Sequence, residues 1–167
     1  MNTSYKGRMS LGGSSIRGTP LPIEQCNGMC AQKANIANLI AGGIPIVLPM
    51  ATKLFDTTEG YDTATSIWTC GYTAHYSLSM WLNGRKPIGD NTLNVSIVKR
   101  ANALSAWASL ANQSNFTPSV SATHNVGFSN TVYIKKGEQV AIQISSVNTS
   151  CRVYPNEAGL SIHSIGK

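Results

Sequence analysis

Three histidines, His75, His124 and His163, are the side chains of this 167-residue chain that change charge near neutral pH, so acid–base chemistry would begin with them. None stands in an HxH or HExxH arrangement or beside a carboxylate, the spacings that hold a metal or polarise an imidazole. His75 and His163 fall in alternating stretches and His124 in a loop-like one, "SATHNVG", which fits surface or core imidazoles. Asp56, Glu59 and Asp62 crowd the stretch "FDTTEGYD" and offer oxygens to calcium, but the EF-hand spacing is missing and an ordinary polar loop is expected. Cys26 and Cys30 are spaced CxxxC, neither the CxxC of a redox pair nor, alone, a zinc signature. GxSxG, Walker and dinucleotide motifs are all missing. The expectation is a protein that acts by binding, with no catalytic residues, cofactor or metal.

The elements that would position such side chains read as strands. Only 12% of residues are charged, while Ser, Thr, Asn and Gly abound, a composition that suits an all-β protein better than a helical bundle. In "GYTAHYSLSMWLNGRK", Tyr72, Ala74, Tyr76, Leu78, Met80 and Leu82 fall on one face, and Thr73, His75, Ser77 and Ser79 on the other. That predicts a half-buried strand ending in a turn at Asn83-Gly84. "TLNVSIVKR" repeats the pattern with Leu93, Val95 and Ile97, and "ALSAWASLA" continues it with Leu104, Ala106 and Ala108. "NTVYIKK", "QVAIQISSV" and "AGLSIHSIGK" complete the series, with Lys136-Gly137-Glu138 as a solvated turn between two of them. Short strands broken by turn signals indicate a sandwich or barrel.

Residues 1–43 differ. They are punctuated by Gly, Ser and Pro, carry dispersed basic residues (Lys6, Arg8, Arg17 and Lys33) with one acid, Glu24, and show no sustained period. Such a segment cannot bury its own apolar surface and reads as an arm that orders against something else. Within it, Ala34, Ile36, Ala37, Leu39 and Ile40 give a brief helical pattern stopped by Gly42-Gly43. The division expected is an anchoring arm over 1–43 and one domain over 44–167. The net charge of +6 is thinly spread, without a run of five basic residues, so nucleic acid is not the expected partner. Residues 1–22 lack the apolar core of an export signal, and "LIAGGIPIVLPM" is too short and too interrupted to span a bilayer, so no membrane partner is expected and the thiols are expected free in a reducing compartment.

The succession "LFDTTEGYD", "CGYTAHYSLSMWLNGRK", "NTVYIKKGEQVAIQIS" and "AGLSIHSIG" resembles the jelly-roll superfamily of tumour necrosis factor and the complement globular head, which extends to bacteriophage capsid-decoration and fibre proteins. The resemblance covers about residues 45–167. It rests on Phe55 and Tyr61-Asp62 ahead of Gly71-Tyr72, on the Lys136-Gly137-Glu138 turn, and on a closing terminal strand, with the Gly-aromatic spacing shifted so that Tyr76 stands four residues beyond Tyr72. It implies two packed antiparallel sheets and a homotrimer, with Tyr72, Tyr76 and Tyr133 in the subunit core or at the trimer interface. The function expected is a virion structural protein: a capsid decoration, cement or head-fibre protein assembled in the host cytoplasm. Lys6, Arg8, Arg17, Ile36, Leu39 and Ile40 would anchor it to the major capsid protein or another virion protein. The alternative is the receptor-binding tip of a tail fibre or spike.

Overall fold

The structure is a computed structural model that describes residues 28–32, 39–40, 44–85, 93–116, 124–146 and 151–166. Its strands in chain order are β1 (Gly28–Gln32), β2 (Leu39–Ile40), β3 (Ile46–Val47), β4 (Thr52–Asp56), β5 (Tyr61–Asp62), β6 (Ile67–Thr69) and β7 (Ala74–Arg85). There follow β8 (Leu93–Arg100), β9 (Ala108–Phe116), β10 (His124–Ile134), β11 (Gln139–Ser146) and β12 (Cys151–Gly166). The pairings are antiparallel, and no helix occurs among the described residues. One sheet runs β10-β7-β12-β1-β4 with β2 beside β12, and the other runs β5-β6-β11-β8-β9 with β3 beside β11. This is the expected all-β antiparallel jelly-roll sandwich.

Period-two patterning builds the core. Tyr76, Leu78, Met80 and Leu82 of β7 and Ala158, Leu160 and Ile162 of β12 point inward from the first sheet. They meet Val95 and Ile97 of β8 and Val140, Ile142 and Ile144 of β11. Each large apolar side chain buried here is worth about 1.5–3 kcal/mol against exposure. Trp68 of β6 sets its ring edge-on to Tyr76, centroids 5.3 Å apart, in the geometry the aromatic quadrupole favours.

The turn at 135–138 carries the chain from one sheet to the other. Gly137 takes φ +86, where a side chain would be strained, and Glu138 N–H donates to the Lys135 carbonyl at 3.0 Å. Gly137 N–H also reaches the Cys70 carbonyl at 2.8 Å, and Cys70 N–H the Glu138 carbonyl at 2.8 Å, locking this turn against the segment before β7. The β8–β9 loop, the 135–138 turn and the 70–73 connection therefore share one end of the sandwich.

Four local expectations fail for identifiable reasons. The helical pattern over 30–43 gives strand pairing where it is described: β1 lies between β12 and β4, and β2 pairs with Cys151 and Arg152, so sheet hydrogen bonding overrides a short and weak helical period. These strands lie inside the segment read as the arm. Asn83-Gly84 makes no turn, because β7 runs on to Arg85 with Asn83 opposite Asn125 and Gly84 between His124 and Val153. His124 opens β10 instead of sitting in a loop. Leu104 and Ala106 belong to no strand: Asn102 accepts Leu104 N–H and the Ser105 hydroxyl on its side-chain oxygen at 2.9 and 3.1 Å and folds the stretch into a loop.

Candidate functional site: the outer face of the first sheet

Because the even-numbered positions of β7 fill the core, His75, Ser77, Ser79 and Trp81 face outward. Register places Tyr133, Thr131, Ser129 and Gly127 of β10 directly across from them. On the other side, His163, Ser161 and Gly159 of β12 oppose Ser77, Ser79 and Trp81, and Phe55 of β4 closes the row beyond β1. The described side chains that β7, β10 and β12 turn outward carry hydroxyls, imidazoles, aromatic rings, the Asn83 amide and the aliphatic Ile165, with no Lys, Arg, Asp or Glu among them.

Large apolar groups lie open on this face. Trp81 is 43% exposed, Phe55 43% and Tyr133 50%. Trp81 has a glycine on each neighbouring strand, Gly127 and Gly159, and its indole lies across Gly159: a Cβ there would fall 2.8 Å from Cε2 and 3.2 Å from Cδ1. His75 packs on Tyr133 with centroids 5.1 Å apart, and Phe55 packs on His163 at 5.9 Å. Ser161 Oγ lies 2.6 Å from His163 Nε2. A hydroxyl bonded to an imidazole is half of a hydrolytic dyad. Ser161, however, lies mid-sheet and is laddered to both Ser79 and Cys30, so strand pairing takes up the backbone N–H groups of these ladder positions that an oxyanion would need. The bond orients the imidazole.

The three tyrosines singled out in the sequence part company. Tyr76 is fully buried in the subunit core, its hydroxyl donating to the Tyr72 carbonyl at 2.7 Å, and burial raises its pKa well above the ordinary phenol value. A second subunit could not touch it, so of the two roles the resemblance allows it takes the core one. Tyr133 lies on the open face, while Tyr72 precedes β7 at the sandwich end and is 51% exposed rather than continuing the apolar side of the strand. Cys70 is a free, buried thiol that donates to the Tyr72 carbonyl at 2.9 Å, and burial pushes its pKa up.

The acidic stretch is a set of turn caps. Asp56 accepts Thr58 N–H and hydroxyl at 3.1 and 3.0 Å and Tyr61 N–H at 2.7 Å, with Lys53 at 3.7 Å. Asp62 accepts the Thr65 hydroxyl at 2.7 Å and Ala64 N–H at 2.8 Å, bonds that hold its pKa below the usual carboxylate range. Among the described residues no group of three or more His, Cys, Asp or Glu is placed to hold a metal ion. Of the proposed anchoring residues, Lys6, Arg8, Arg17 and Ile36 lie outside the described residues, and Leu39 and Ile40 form β2. The outer face itself was missed because Trp81 and Phe55 stand at outward positions that the alternation reads as polar; the flanking Gly127 and Gly159 were the available signal.

The architecture is that of the tumour necrosis factor and complement globular-head jelly rolls. Solved structures with this fold include Eiger, a tumour necrosis factor from S. frugiperda, at TM-score 0.64 and 8% identity over 86% of this chain and 94% of that one. The globular domain of zebrafish complement 1qA matches at 0.62 and 16% identity, covering 85% of this chain and 98% of that one. Murine APRIL at pH 5.0 matches at 0.62 and 10% identity, covering 84% and 99%. At these identities the likeness is one of fold. No protein-family model and no curated protein matches the sequence.

Proposed function

We propose that the chain is a non-enzymatic virion structural protein that works as a homotrimer, decorating a bacteriophage capsid or forming a head fibre. The observation that carries the trimer is the outer face of the first sheet, where Trp81, Tyr133 and Phe55 lie half open among neutral hydroxyls and imidazoles. Association that covers aromatic groups while leaving no charge unpaired is favourable, and a charge-depleted aromatic centre is what subunit interfaces select. The virion role is supported by the family resemblance together with the weakly basic N-terminal segment. Lys6, Arg8 and Arg17 would pair with acidic groups of a major capsid protein, and Ile36 would fill an apolar seat. Leu39 and Ile40 serve the sheet through β2, so their part in anchoring is secondary. The receptor-binding tip of a tail fibre or spike is the second reading, favoured by the half-exposed Tyr72 at the sandwich end.

Light scattering on the full chain tests the trimer, and a Trp81→Glu, Tyr133→Glu variant should be monomeric with unchanged circular dichroism. A wild-type monomer overturns the reading. Cosedimentation with undecorated capsids tests the anchor, using the full chain against one that starts at residue 28 so that β1 stays in the sheet. Binding by the full chain alone supports decoration, whereas failure of both to bind overturns it.

A further inference from the structure

We propose that the sandwich end bearing the β8–β9 loop docks on an anionic lipid surface, with Leu104 inserted at the headgroup boundary and Lys135 and Lys136 on the phosphates. Leu104 is 99% exposed at the tip of a loop that is held from several sides. Arg100 stacks over Trp107, its guanidinium carbon 4.3 Å from the ring centroid, and donates to the Ala103 carbonyl at 3.1 Å and the Gln139 side-chain oxygen at 2.8 Å. Asn102 receives Leu104 N–H and the Ser105 hydroxyl on its side chain, and Ser105 N–H at 3.1 Å on its carbonyl. A loop fixed this way presents its apolar tip without an ordering cost on contact.

Two features favour lipid over a protein pocket. Four polar groups at the tip, the Leu104 and Ser105 N–H, the Ser105 hydroxyl and the Ala103 carbonyl, have partners within the loop, which lowers the cost of bringing the tip to a medium poor in hydrogen-bonding groups. The flanks also match an interface in chemistry. Tyr72, half exposed on the same end, is amphipathic, and Lys135 and Lys136 stand exposed in the neighbouring turn. Glu138, the acid inside that turn, is paired with the Lys99 ammonium at 2.9 Å and accepts Lys135 N–H at 2.7 Å. Glu59 is an exposed acid in the 57–60 turn, where Thr58 lies beside Gly71 of the 70–73 connection. This end is hidden in the sequence, because the chain has no stretch long enough to span a bilayer and the alternation of Leu104 with Ala106 and Ala108 reads as a strand.

The test is cosedimentation of the full chain with phosphatidylcholine vesicles, with and without a quarter phosphatidylglycerol. Wild type should partition onto the anionic vesicles only. Leu104→Ser should weaken this by about tenfold or more, and Lys135→Gln with Lys136→Gln by about thirtyfold. Leu104→Trp should restore binding and show a blue-shifted emission on the vesicles. Circular dichroism of each variant should match wild type, since these side chains are exposed. The proposal is overturned if wild type stays in solution, which would leave the tip for a protein pocket. Equal binding to neutral vesicles, or binding that survives both sets of substitutions through the basic residues before 28, overturns it as well.

Discussion

Replacing Glu138 by Gln removes one charge from a pair that joins β8 to the 135–138 turn, and the size of the effect follows from the geometry. Lys99 Nζ lies 3.0 and 2.9 Å from the two carboxylate oxygens, and the side chains are 24% and 16% exposed. At about 3 Å and an effective dielectric of about 20, the direct attraction is about 5 kcal/mol. Desolvation of two shielded ions and the ordering of a lysine chain cancel most of it, leaving a net coupling of about 1–2 kcal/mol. Burial alone would push the Glu138 carboxyl up, but the Lys135 N–H and the Lys99 ammonium outweigh it and hold its pKa below the ordinary carboxylate range. In the unfolded chain Glu138 takes up its proton first, near pH 4.3 or so. The contribution is therefore complete above that pH and is lost as pH falls through the lower folded value. Urea unfolding of wild type, Lys99→Met, Glu138→Gln and the double variant should give the stated coupling at pH 7. The wild-type stability should fall more steeply than that of Glu138→Gln below about pH 4.5. A coupling under about 0.3 kcal/mol, or parallel pH profiles, would refute the reasoning, since that is the range of an exposed pair.

Three further outcomes can be read by the same unfolding assay. Gly137→Ala should cost about 1 kcal/mol from backbone strain alone, because its added Cβ meets nothing within 4 Å. Tyr76→Phe should cost about 1 kcal/mol, because the partly buried Tyr72 carbonyl loses the phenol donor and keeps only the weaker Cys70 thiol. Gly159→Ala should cost about 1–3 kcal/mol by lifting the indole of Trp81 off the strand, and the same change in a Trp81→Ala background should cost almost nothing. Equal costs in the two backgrounds would show that the indole is not what confines the glycine.

The fold was legible because its strands announce themselves. Leu78, Met80 and Leu82 alternate with Ser77 and Ser79, and Val140, Ile142 and Ile144 alternate in β11, so the period of two survives wherever one side of a strand is buried and the other wet. Legibility failed where local chemistry and tertiary pairing disagree. Asn83-Gly84 has the composition of a hairpin turn but sits between two partner strands, and their hydrogen bonds outweigh its turn preference. Leu104 alternates correctly with Ala106 and Ala108, yet the Asn102 side chain and the Arg100 guanidinium together fold that stretch into a loop. The open face was hidden for another reason. Its aromatic rings come from β4, β7 and β10, far apart in the chain, and only the successive registers of the ladder β10-β7-β12-β1-β4 bring Phe55, Trp81 and Tyr133 onto one surface.

The place of β12 has a consequence for how the molecule forms. The last of the described strands to leave the ribosome is inserted between β7 and β1, so the earliest strand has no partner on that side until residues 159–163 have been made. The first sheet cannot close progressively during synthesis. Until then the β1–β4 pair waits with the β12-facing side of β1 open to pairing with other chains, while β7 and β10 can already zip together. Closure across so long a separation carries the loop entropy of most of the chain, which predicts slow, all-at-once folding and a nascent state that relies on protection from its neighbours.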